Sequence, residues 1–212
     1  MGRGSSGAGA NLGKGSGGLN PGNIVNERDL VSERERKRAE VDDVLSVARD
    51  ISDEYGVEVG QFMLADIKGK DITTMAYSDG ANIGFNSIYF EGGRMDNVYD
   101  DCVKSGFHPS RGNKTAMQAV ASHEYGHVLT QKAGAKLGIP DMDAAAKIIV
   151  DRARKTTSHK GSVSMAKNIS GYAGHSNAEC VAEAIADVYC NGRKASKESR
   201  AIVTTLNDIL NK

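Results

Sequence analysis

The stretch "ASHEYGHVLT", Ala121 to Thr130, sets two histidines four residues apart with a glutamate directly after the first. It lies inside "KTAMQAVASHEYGHVLTQKAG", which reads as a helix starting near Thr115 and stopping by Gly134. On that helix His123 and His127 are one turn apart and face the same way. Two imidazole nitrogens so placed can bind one Zn²⁺ at about 2.0–2.1 Å. Glu124 then stands beside the ligands without being one, where its carboxylate can accept a proton from water made acidic by the metal. Two histidines merely packed or solvated on a helix would be the bland alternative.

A third ligand has to come from elsewhere in the chain, and a catalytic site keeps one position open for water. Downstream, "ISGYAGHSNAECVAEAIADVYCNG" spans Ile169 to Gly192. Its helix places Glu179, Glu183 and Asp187 on one stripe, bordered by Ala178, Ala182, Ile185, Ala186 and Tyr189, which read as core. Carboxylates beside an apolar face are costly unless a cation or hydrogen-bond donors compensate them. A zinc ion with its histidines would do so. Ser176 and Glu179 also have the spacing of a capping box, and if Glu179 only caps, Glu183 becomes the ligand. From the residues alone the choice between the two glutamates stays open.

Working outward, "ERDLVSERERKRAEVDDVLSVARDISDEYG" carries Val41, Val44, Leu45, Ala48, Ile51 and Tyr55 at helical spacing. Its charge run "SERERKRAE" is the solvated face of that helix, since both signs are interleaved. Three strand-like segments follow, "VEVGQFMLADI", "DITTMAYS" and "ANIGFNSIYF", punctuated by "KGK" and "SDG". The segment "EGGRMDNVYDDCVKSGFHPSRGNK" is a connection to the histidine-bearing helix, and further helices are expected at about 141–154, 177–191 and 197–210. The polar loop "KTTSHKGSVSMAKNISG" lies among them. Helix, sheet, then a run of helices predicts an α+β fold.

Residues 1–24 hold nine glycines and little that is apolar, which predicts a flexible tail. The remainder, 25–212, suits one domain, with an N-terminal helix and sheet over 27–90 and active-site helices over 115–192. The 27 basic and 27 acidic residues cancel, so no bulk attraction to nucleic acid or membrane is implied. Three cysteines without a CxxC pair argue for reduced thiols in a cytoplasmic setting. Neither a signal peptide nor a run of apolar residues long enough to span a bilayer is evident, and the chain is expected to stay where it is made. Cys180 could offer a thiolate beside Glu179, but successive helix residues point about 100° apart and cannot easily face one ion. His108 reads as a loop histidine, solvated or bonded locally, with a substrate or metal role as the alternative; His159, in a polar loop flanked by lysine, is assigned no role, and His175 is near the site and could touch substrate.

The segments "HEYGH" and "YAGHSNAECVAEAIADV" resemble the gluzincin metallopeptidases of the anthrax lethal factor and Pro-Pro endopeptidase type. In that family a tyrosine precedes the glutamate ligand by seven residues, the spacing of Tyr172 and Glu179, and an "ExxAE" pattern is matched by Glu179, Ala182 and Glu183. The resemblance implies a zincin-like fold in which His123, His127 and Glu179 bind zinc, Glu124 is the general base, Tyr172 donates to the developing oxyanion, and Glu183 orients a ligand histidine. It implies a zinc endopeptidase acting on protein or peptide substrates. The wider segment from Gly106 to Gly192 is also similar to domains of bacteriophage virion and head-morphogenesis proteins, so a virion or assembly component with a non-catalytic zinc site, docked through the tail, is the alternative. Cys180 and Val181 depart from the family's aromatic pair after the ligand, and His175 intrudes between tyrosine and glutamate. A substrate would lie extended along an edge strand, for which "ANIGFNSIYF" is the candidate.

Overall fold

The computed structural model describes residues 38–65, 74–90 and 94–211. In chain order these form α1 (Arg38–Tyr55), β1 (Phe62–Ala65), β2 (Ala76–Ser78), β3 (Ile83–Asn86), α2 (Arg94–Lys104), α3 (Ala116–Leu137), α4 (Met142–Thr157), α5 (Ser162–Ala166), α6 (Asn177–Asn191) and α7 (Lys197–Leu210). The fold is mixed α+β, mostly helical with a small sheet, as the sequence pattern predicts. The glycine-rich tail, most of "SERERKRAE" and the "KGK" turn lie outside the described residues.

The sheet runs in the order β1-β3-β2, with β1 parallel and β2 antiparallel to β3. This corrects one expectation: "ANIGFNSIYF" supplies the central strand, not an edge. The Asp79–Asn82 turn folds β2 onto one side of β3, with Asp79 Oδ1 accepting from the backbone of Ala81 and Asn82. The unpaired side of β3 then takes β1. Alternation divides the faces: Phe62, Leu64, Ala76, Ile83 and Phe85 join the main core, while Met63, Ala65 and Tyr77 form a smaller cluster opposite.

The connection before the histidine-bearing helix is more ordered than expected. α2 forms within it because Met95, Val98, Tyr99 and Cys102 recur at i, i+3, i+4 and i+7, and all four pack on the core. A dense acidic run hides that period in the sequence. Arg111 returns over α2 and grips Asp100 with two nitrogens, at 2.7 and 3.0 Å.

α3 begins as the sequence suggests. Thr115 Oγ1 accepts from Gln118 N at 3.2 Å while Gln118 Oε1 accepts from Thr115 N at 3.1 Å, so two end groups are satisfied reciprocally. Its end differs, because the helix runs through Gly134 to Leu137 and stops at Gly138, whose φ of 71° supplies the left-handed cap. Gly134 is a packing glycine: a Cβ there would meet Ile139 O at 2.6 Å. Among the described residues no helix is long and apolar enough to cross a membrane.

Candidate metal centre

α3 and α6 form the most extensive helix pair, and the reason is local. Gly126, between the two histidines, has no side chain to hold the helices apart; a Cβ on it would stand 2.6 Å from Ala182 Cα. At that close approach His123 and His127 on one helix face Glu179 and Glu183 on the other. All four are buried, with exposures of 2, 1, 6 and 1 %.

His123 Nε2 lies 3.1 Å from Glu179 Oε2, and His127 Nε2 lies 3.5 Å from the same oxygen. One ligand atom from each of the three residues fits within a span of 4.8 Å. None of these contacts has hydrogen-bond geometry, and the three atoms are buried without a hydrogen-bond partner. Leaving such atoms unpaired costs about 1–3 kcal/mol each. Convergence of three orphaned donors of this kind fits a metal ion, which would satisfy all of them at once. The group can therefore hold a metal.

The choice between the glutamates turns on the start of α6. Ser176 caps the helix by accepting from Glu179 N at 3.1 Å, but the Glu179 carboxylate points to the histidines instead of completing a box. Its other oxygen accepts from Tyr172 at 3.2 Å. Glu183, one turn on, stands behind His123: its Oε1 is 2.8 Å from His123 Nδ1, close but off the ring N–H direction. Asp187 is further along and ties the chain after α6, accepting from Ser196 N and from Asn191.

Electrostatics follow from burial against these pairings. Burial raises the Glu179 carboxyl, but the two histidines outweigh it and bring it down to about 2. Glu183 is likewise driven well below the usual carboxylate range, against burial, by His108 and His123. Burial opposes a charge on His123, yet its two carboxylate neighbours raise it well above the ordinary imidazole value. Glu124 differs. Fully buried, with neither oxygen bonded, it is pushed up to about 7 by desolvation, with the neighbouring histidines only partly opposing.

Tyr172 packs between Phe107, His123 and His175, at ring separations of 5.0, 5.8 and 4.9 Å. His175 is exposed and rests on Tyr172; among the described residues it is not part of the ligand group. Cys180 is buried, and desolvation pushes its thiol up to about 12, so it offers no thiolate.

Two histidines have partners that the sequence reading did not foresee. His108 is 3 % exposed and bonds Glu183 across 75 residues of chain, at 3.0 Å. His159 bridges Ser164 at 2.8 Å and Glu198 at 2.7 Å, fastening the polar loop to α7. Neither partnership has a spacing to betray it. The one available hint for His108 is its position between Phe107 and Pro109, where a stiff apolar turn can carry a polar ring inward.

Comparison with family models, curated proteins and solved structures returns no match for this chain.

Proposed function

We propose that the chain is a zinc-dependent endopeptidase with a zincin-like fold. The observation that carries this reading is the pairing of two features: three orphaned ligand atoms converging from two helices, and an unpartnered carboxylate, Glu124, adjacent in sequence to the first of them. His123, His127 and Glu179 would hold the zinc ion. Bound there, it supplies a Lewis acid that acidifies water and polarises a peptide carbonyl. Glu124, buried with neither oxygen bonded, takes a proton from the attacking water and returns it to the leaving amine. The Tyr172 hydroxyl, already at the edge of the ligand group, donates to the oxygen that gains charge, a contribution commonly worth about 3–4 kcal/mol. Glu183 receives the far side of the His123 ring and fixes its orientation.

For an extended substrate, β2 is the strand to which the site points. It is an edge of the sheet, it packs on α3, and its Tyr77 is close enough for the Glu124 charge to help raise its hydroxyl. A peptide adding there would pair with backbone groups and cross the face of α3. The test is metal analysis of the purified protein with cleavage profiling of a peptide library. Bound zinc and discrete cleavage support the reading; a metal-loaded protein that cleaves nothing refutes it.

The depth of the ligand group favours one other reading, a zinc that only clamps α3 to α6, which would suit the virion or assembly role that the sequence resemblance suggests. That reading expects bound metal, unfolding by chelator and no turnover on any peptide.

A further inference from the structure

Glu183 does not reach out to His123 alone. Two donors bond its oxygens, and the His123 ring faces one of them. Oε1 takes His108 Nδ1 at 3.0 Å and lies 2.8 Å from His123 Nδ1, while Oε2 accepts from Ser170 Oγ at 2.6 Å. An ionised carboxylate can only accept, so His108 bonds it through a protonated Nδ1, and the same oxygen favours a proton on the His123 Nδ1 that faces it. In the neutral His123 ring that a metal requires, this leaves Nε2, the atom turned toward Glu179 and His127, as the bare nitrogen. The ring is thus set in the tautomer that a metal requires.

The His108 end of this chain is itself held firmly. Its ring stacks on Tyr99 at 5.2 Å with an interplanar angle of 4°, and the Tyr99 hydroxyl donates to Pro109 O at 3.2 Å. The backbone around it is bonded directly to the Tyr172 segment, Gly171 N to Gly106 O at 2.8 Å and Tyr172 N to Phe107 O at 2.9 Å. Ser170 closes the loop by accepting from Ala173 N at 3.0 Å. One short loop before α3 therefore clamps the strip that carries Tyr172 and grips the carboxylate behind His123.

We infer that His108 is a positioning residue for the metal site: through the Glu183 carboxylate it fixes the orientation and tautomer of His123, and so sets the affinity for a divalent cation. This rests on the zinc-site reading above. It adds a residue from a distant loop, outside the two metal-bearing helices, whose ring stands edge-on to the His123 ring at 6.4 Å.

The test measures zinc affinity by competition with a chromophoric chelator, which needs no substrate. His108→Phe keeps the ring stacked on Tyr99 but removes the donor, and should weaken zinc binding about tenfold, the lower end of what outer partners of ligands usually contribute. His108→Asn places an amide N–H where Nδ1 stood and should stay within about threefold of the parent. In a Glu183→Ala background His108→Phe should change affinity by less than about twofold, because the intermediary is gone. Unchanged affinity in His108→Phe overturns the inference, as does an equal loss in the phenylalanine and asparagine variants or the same tenfold loss in the Glu183→Ala background. Should the variants fail to fold, ¹⁵N-histidine spectra of the zinc-loaded parent decide: His108 protonated at Nδ1 supports the role, and a bare Nδ1 overturns it. A parent that binds no zinc removes the site itself, a result distinct from a zinc-binding parent indifferent to His108.

Discussion

Gly126 lies so close to Ala182 that a single added carbon would stand 2.6 Å from the Ala182 Cα. The contact joins the two helices that carry the ligand group, so its spacing sets the distance between the histidines and Glu179. Gly126→Ala should gain about 1 kcal/mol of helix propensity and lose more to overpacking, for a net destabilisation of roughly 1–2 kcal/mol. Zinc affinity should fall with it. Denaturant unfolding and chelator competition measure both, and an alanine variant as stable and as tight as the parent would refute the spacing role.

Glu124→Gln should retain zinc while cleavage falls by about 10²–10⁴, the usual contribution of a general base. Loss of metal along with activity would place Glu124 in a structural role instead.

Glu124 should also shape stability against pH in the metal-free protein. Its carboxyl rises from an ordinary 4.5 to about 7 on folding, so the folded state holds the proton more tightly than the unfolded state. The stabilisation is full below pH 4.5 and is lost as pH rises through about 7, up to about 3 kcal/mol. Unfolding curves for parent and Glu124→Gln from pH 4 to 8 should therefore diverge across that window. Parallel curves would count against the shift.

Tyr172→Phe keeps the ring contacts with Phe107, His123 and His175 and removes only the hydroxyl. The expected loss is about 10²–10³ in kcat with KM little changed. A rise in KM alone would assign the hydroxyl to substrate binding.

The His159–Glu198 bridge should hold the polar loop to α7. Burial raises the Glu198 carboxyl, but bonds from His159, its own backbone and Asn168 outweigh it and lower it below 4.5. Its contribution is thus present above pH 4.5 and fades as pH falls through the lowered value. Glu198→Gln should be less stable than the parent at pH 7, with the gap closing toward pH 3. A gap that persists there would show that the bridge acts through packing.

What was legible in the sequence was whatever depends on near neighbours along the chain. The spacing of His123 and His127 on a helix, the Thr115 start, the α1 stripe from Val41 to Tyr55 and the three C-terminal helices follow from a period of 3.6 residues and local capping. The burial of Glu179 and Glu183 was visible as carboxylates set beside an apolar stripe, although the residues alone left their order of approach to the histidines open. Tertiary contacts decided the rest. Strand order depended on which side of β3 remained unpaired after β2 folded back, and α3 ran past Gly134 to the left-handed Gly138, where the returning chain packs Ile139 against Gly134. Whether Glu179 caps its helix or joins the histidines was decided by the approach of α3 to α6 at Gly126. His108 reached Glu183 only because a loop 75 residues away along the chain is clamped to the Tyr172 strip. Periodicity records the face a residue occupies, whereas partners separated by dozens of residues are chosen by packing, which no local spacing encodes.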